Sequence, residues 1–379
     1  MSKTKQTPDM MPEGGAVALK PRSGALGRII RRFFLLLFTL VILILVGLVM
    51  VLDLIFNGPS PEARDVLTMS LTEASATKWV PGLFLGDELV AEIRNKMGQE
   101  LPNDITNVES IVINKELLTQ TTDEWKDYPD GIRFEDFSGD TYNAHIMIVR
   151  DPAQVYMATS TDNFSYSTPG TRITDEIENE GAIAAVNAGA FFDDGTASPK
   201  VGSVPLGVVM AGGRCVWYHG TPNERGFAGF NEDNILIVAK DVTKAQAEEW
   251  GIRDGCGFGP VLIMDGEVND AAYNKNSGFN PRTAIGQRAD GAVIFVCIDG
   301  RQTGSLGGTY RDIIDIMVEY GAVNACNMDG GSSSVMLYRD TYGRYGEAGK
   351  VQMMNSYSLM QAEPRRMPNF WMVRPASEG

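Results

Sequence analysis

Four short polar clusters carry the residue types from which a reaction centre is built. They are Asn187-Ala188-Gly189-Ala190-Phe191-Phe192-Asp193-Asp194, Asn280-Pro281-Arg282-Thr283, Asp299-Gly300-Arg301 and Asp329-Gly330-Gly331-Ser332-Ser333-Ser334. Asp193, Asp299 and Asp329 offer carboxylates able to act as nucleophile or general base with a partner. Arg282 follows a proline that stiffens its approach, and its planar fork suits phosphate or carboxylate. The glycine pair after Asp329 lets backbone N–H groups reach a small polar ligand with no Cβ in the way. Each cluster also has a plainer reading, because Asp-Gly pairs make turns and lone arginines make ion pairs. Ser332 to Ser334 lack a G-x-S-x-G elbow, so a serine hydrolase is not expected. His145, alternating with Met147 in a strand, and His219, before Gly220, show no carboxylate or cysteine partner nearby and read as structural. The aromatics Phe191, Phe192, Phe258 and Tyr310 beside the clusters read as core, with a sugar-stacking platform as the alternative.

The elements that must position these clusters follow from periodicity. Tyr310, Ile313, Ile314, Met317 and Tyr320 share one helical face, with Thr309 as N-cap and Gly321 as C-terminal stop. That helix leads into a strand from Val323 to Met328, with Val335 to Tyr338 read as its return strand. Further strands are expected over residues 110–114, 144–150, 154–159, 182–186, 207–210, 214–218, 235–239, 259–264, 282–287 and 293–299. Short helices are expected over 174–180 and 243–249. Many short strands with turn signals and a few inserted helices give an α+β fold, a largely antiparallel mixed sheet preceded by one transmembrane helix.

The 379 residues carry a net charge of −15 and 44% hydrophobic side chains. Residues 33–52, from Phe33 to Leu52, hold no charge and match the hydrocarbon thickness of a lipid bilayer. A cleaved signal peptide is the competing reading, although the run is long for one. Residues 1–32 are a polar tail with seven basic and two acidic residues, a net +5 that places the N-terminus in the cytoplasm by the positive-inside bias. The remainder then carries a net −20, which argues against nucleic acid. The expected organisation is a tail over 1–32, a span over 33–52, a stalk or collar over 53–105 with helices over 62–77 and 87–96, and one domain over 106–379. Cys215, Cys256, Cys297 and Cys326 are irregularly spaced with no CxxC, and with two histidines no metal site is expected. No cofactor is indicated.

Taken in order, Asn187-Ala188-Gly189-Ala190-Phe191-Phe192, Gly259-Pro260, Asn280-Pro281-Arg282-Thr283-Ala284-Ile285-Gly286, Asp299-Gly300-Arg301 and the run from Asn324 to Ser333 resemble the signature of the phosphodiester glycosidase domain, over roughly residues 130–375. Ala188 and Ala190 stand where that family often has other small residues. The resemblance implies hydrolysis of a sugar-1-phosphodiester, with a phosphorylated glycan as partner. It implies Asp329, Arg282 and Asp193 as catalytic residues, Arg282 and then Arg301 holding the leaving phosphate. Asn187, Thr283, Asp299, Gly330, Gly331, Ser332 and Ser333 would bind substrate, Asn187 by orienting the sugar. The span would put this chemistry outside the cell, on an envelope glycan or exopolysaccharide. The alternative is a catalytically silent glycan-binding module. A calcium-stabilised surface domain is weaker, since the odd-position acidic ladder it needs is absent.

Overall fold

The computed structural model describes residues 24–73, 77–95, 104–120, 122–192, 202–219, 226–240, 242–274, 277–357 and 363–376. Helix Ala25–Phe56 contains the apolar run, and its segment Gly27–Phe56 is long and apolar enough to cross a membrane. The helix begins before residue 33 and takes in Arg28, Arg31 and Arg32, whose long stems let charge sit at the end of an apolar helix.

A second compact unit runs from Ile55 to Gly379. It opens with helices Pro61–Thr72, Val80–Leu85 and Asp87–Asn95. Ser60 caps the first, accepting from Ala63 N at 3.2 Å, and Pro61 occupies the first turn where its missing N–H costs nothing.

The rest is α+β with antiparallel strand pairing, as expected. A seven-stranded sheet runs in the order Ile132–Ser138, Asn143–Val149, Val293–Ile298, Arg282–Arg288, Ala322–Met328, Val261–Met264, Glu267–Val268. Two five-stranded sheets pack with it. One contains Arg214–Tyr218, Val208–Ala211, Ile252–Gly257, Phe227–Asn231 and Leu236–Ala239. The other contains Val351–Met353, Met336–Arg339, Ala184–Asn187, Asn369–Val373 and Val155–Thr159. Their common core gathers Met147, Phe295 and Ile285 from the large sheet, Val209 and Phe230 from the second, and Val186, Met336 and Trp371 from the third. Because side chains alternate across a strand, the neighbours Ile146, Ile294 and Ala284 face the other way, onto Ile313, Ile314 and Met317 of helix Tyr310–Glu319. The centre of the large sheet is therefore apolar on both faces, which is why strands such as Val293–Ile298 read as near-continuous hydrophobic runs.

Two expectations change. Residues 110–114 form no strand: a short turn of helix at Val108–Ser110 precedes helix Lys115–Thr119. Met336–Arg339 does not return beside Ala322–Met328 but pairs with Ala184–Asn187 in the third sheet. The turn after Asp329 is thus a crossing between sheets rather than a hairpin.

Candidate active site

Strand register brings three of the four clusters to one edge. Arg282 lies opposite Ile298 on one side, and Thr283 opposite Met328 on the other. The start of the Arg282 strand therefore coincides with the ends of the two strands that precede Asp299 and Asp329. The fourth cluster arrives from the third sheet, where strand Ala184–Asn187 ends beside them. Asn187 is fully buried: its Nδ2 donates to the Asp329 carbonyl at 2.5 Å, and its Oδ1 accepts from Thr283 Oγ1 at 2.9 Å and Val335 N at 3.1 Å. The Asn187 amide thus joins three of the clusters to one another. Asp193 lies outside the described residues.

Arg282 is 4% exposed. Its Nε donates to Gly308 O at 3.1 Å, and its Nη2 to Ser277 O at 2.6 Å and Gly278 O at 3.1 Å. Its guanidinium also lies 4.3 Å from the centroid of the Tyr310 ring. Tyr310, the first residue of its helix, therefore serves the arginine rather than a sugar face. With Nε and Nη2 committed to carbonyls, the Nη1 edge points at Glu73 Oε2, 3.2 Å away.

Arg301 reaches the same place from the other side. Its backbone is left-handed, with φ 57°, and its Nη2 donates to Asn280 Oδ1 at 2.7 Å. Loss of solvent around the guanidinium lowers its pKa below the ordinary arginine value; the Glu73 charge opposes the shift and Arg282 adds to it. Asn280 turns its other end, Nδ2, to Glu73 Oε2 at 2.6 Å. Glu73 follows helix Pro61–Thr72, inside the segment expected to be a stalk, and no feature of its local sequence marks it.

The Asp329 turn closes over these groups. Gly331 N donates to Pro281 O at 2.9 Å, and Gly331 has φ 62°. A Cβ on Gly331 would stand 3.3 Å from Arg301 Nη1, so the second glycine permits both the turn and the close arginine. Asp329 Oδ1 accepts from Gly330 N at 3.0 Å. Ser332 is engaged by Tyr357, whose hydroxyl donates to its carbonyl at 2.5 Å, and by Arg365 Nη1, 3.2 Å from its Oγ. Ser333 is buried, and its Oγ meets no hydrogen-bond partner among the described residues.

One correction concerns His145. It is not without partners: its Nδ1 lies 2.8 Å from Asp136 Oδ1, and its Nε2 lies 3.2 Å from Asp299 Oδ2. Asp299 is 3% exposed and also accepts from Ser356 N at 2.9 Å. Burial pushes the imidazole pKa down, but the two carboxylates outweigh it and hold the value above that of an ordinary histidine. The signal was available in the register of the first hairpin, where Asp136 stands directly opposite His145.

The four cysteines are free, with Cys256, Cys297 and Cys326 buried, and burial pushes each of these three thiols up. Among the described residues there is no group of three His, Cys, Asp or Glu side chains arranged to hold a metal.

The family model described as Phosphodiester glycosidase matches residues 180–374, which include all four clusters. The match begins later than residue 130, where the sequence resemblance starts. Among solved structures, the chain is similar to the zebrafish N-acetylglucosamine-1-phosphodiester alpha-N-acetylglucosaminidase catalytic domain, auto-inhibited by its pro-peptide. That superposition has a TM-score of 0.50 and 18% identity, covering 65% of this chain and 82% of the zebrafish one, a likeness of fold. The SPbeta prophage-derived uncharacterized protein YomE of Bacillus subtilis (strain 168) is 37% identical over 95 residues, 24% of this chain. The aligned part spans 15% of that relative's length.

Proposed function

Because the chain belongs to the phosphodiester glycosidase family, we propose that it hydrolyses a sugar-1-phosphodiester, releasing the sugar and leaving a phosphomonoester on the rest of the substrate. The observation that carries this reading is the convergence of Arg282, Arg301 and Asn280 beside the turn that follows Asp329. Two guanidiniums at one point suit the phosphate, whose charge grows as the bond to the sugar breaks. A phosphate leaves readily, so the demand on a general acid is small and the demand on a fixed cation is large.

In this reading Asp329 activates water or stabilises the oxocarbenium-like transition state, with Asp193 as its partner. The Gly330 and Gly331 amides, Ser332 and Ser333 contact phosphate oxygens or sugar hydroxyls. Thr283 acts through Asn187, which sets the position of the Asp329 turn beside the sugar. Asp299 acts through His145 and the backbone of Ser356. The apolar helix anchors the chain in a bilayer with its N-terminus in the cytoplasm, and the substrate is an extracytoplasmic envelope glycan or exopolysaccharide.

Hydrolysis in water enriched in oxygen-18 tests the bond assignment. Cleavage between the sugar carbon and the bridging oxygen puts the label in the free sugar. Label in the phosphomonoester instead would make the protein a phosphodiesterase and remove the glycosidase reading.

A further inference from the structure

Glu73 enters the candidate site from well before the matched family region, which begins at residue 180. Glu73 follows helix Pro61–Thr72, more than a hundred residues before the first cluster, yet its Oε2 meets both Asn280 Nδ2 at 2.6 Å and Arg282 Nη1 at 3.2 Å. Its charge also acts on Arg301. One carboxylate therefore touches Arg282 and Asn280, and Asn280 Oδ1 in turn accepts from Arg301, the second guanidinium assigned above to the substrate phosphate. Carboxylate and phosphate make the same demand on a guanidinium, paired acceptor oxygens in one plane.

The contact is not an isolated ion pair at the surface. Ser70, one turn before Glu73, accepts a hydrogen bond from Phe279 N at 2.9 Å. Gly278 has φ 69°, and a Cβ there would lie 2.5 Å from Ser70 N, so helix and loop meet backbone to backbone. Thr68 and Met69 of the same helix are buried, at 0% and 4% exposed. The loop that receives the helix is the one whose Ser277 and Gly278 carbonyls hold Arg282. Docking of the helix and orientation of the arginine thus share one short stretch of chain.

We propose that Glu73 is an internal plug, occupying the anion position formed by Arg282, Asn280 and Arg301, so that a substrate phosphate enters only when helix Pro61–Thr72 lifts from residues 277–279. The plug rests on the phosphate-clamp reading of Arg282 and Arg301. Two anions cannot share that point, so phosphate and Glu73 compete. The apparent dissociation constant for phosphate is then the intrinsic one divided by the unplugged fraction. Neutralising residue 73 raises that fraction without reshaping the side chain.

The test uses the full chain, purified in detergent, titrated with inorganic phosphate by calorimetry. Glu73→Gln is expected to bind phosphate about tenfold tighter than wild type or better, and Ser70→Ala, which frees the Phe279 amide, to shift in the same direction by less. Adding Arg282→Ala to Glu73→Gln is expected to abolish the gain. Equal affinities for wild type and Glu73→Gln, with Arg282→Ala still abolishing binding, would overturn the plug and leave the clamp standing. No phosphate binding by Glu73→Gln would remove the clamp and the plug together. Phosphate binding retained by Glu73→Gln while turnover of a sugar-1-phosphodiester disappears would make Glu73 a reacting group and overturn the plug.

Discussion

Asn187 ends a strand of one sheet, Asp329 follows the last residue of a strand in another, and a 2.5 Å hydrogen bond from the Asn187 amide to the Asp329 backbone carbonyl joins them. The same amide oxygen accepts from Thr283 and Val335, so one buried side chain fixes the position of the Asp329 turn relative to the Arg282 strand. Replacing Asn187 by Ala leaves buried polar partners unmatched and is expected to cost about 3 kcal/mol. Chemical denaturation of both proteins measures this directly. A loss below about 1 kcal/mol would mean that the turn is held by other means.

That joint shows how far the sequence reaches. The ends of the Arg282, Val293 and Ala322 strands are legible locally, because each is an apolar run stopped by a polar cluster, and the helix Tyr310–Glu319 is marked by its face, cap and stop. Pairing is not legible in the same way. Residues 336–339 look like a return strand because they follow a Gly-Gly turn, yet they pair with Ala184–Asn187, far away in the chain. Strand Ile132–Ser138, interrupted by Arg133, Glu135 and Asp136, escapes a search for apolar runs, and with it goes the Asp136 partner of His145. Glu73 has no local signature, since its meaning lies in where a helix docks. Residues 110–114 carry a short β-branched apolar run, Ile111-Val112-Ile113, but Val112 is exposed and no strand forms there.

The His145 bridge carries a pH dependence of defined sign. The folded pKa is raised above the ordinary histidine value of 6.5. Its contribution to stability is therefore fully present below about pH 6.5 and is lost as pH rises through the folded value. Denaturation of wild type and His145→Asn at about pH 5.5 and about pH 9 is expected to show a larger advantage for wild type at the lower pH. Parallel pH profiles for the two proteins would show that the bridge is not coupled to protonation.

Gly331 joins a backbone requirement to the position of Arg301. At φ 62°, with a Cβ 3.3 Å from Arg301 Nη1, Gly331→Ala is expected to destabilise by about 1 kcal/mol. It is also expected to raise KM for a sugar-1-phosphodiester by displacing the guanidinium. Thermal melts and steady-state kinetics separate the two effects. Unchanged KM with a lowered Tm would show that Arg301 stands apart from substrate.

Arg282 is gripped through both Nε and Nη2, which lysine cannot imitate. Arg282→Lys is expected to lower kcat about as much as removal of a preorganised transition-state donor, about 10²- to 10³-fold. Activity within about threefold of wild type, against that scale, would mean that charge alone suffices at this position.

Release of sugar from an N-acetylglucosamine-1-phosphodiester by the purified chain, run beside Asp329→Ala and Arg282→Ala, tests the central claim most directly. The wild type should release sugar and leave a phosphomonoester. Both variants should lose that turnover while keeping the wild-type circular dichroism spectrum. Undiminished turnover in either folded variant would contradict the role given to that residue. A wild type that binds glycan phosphodiesters but cleaves none would contradict the hydrolase reading and favour a binding module.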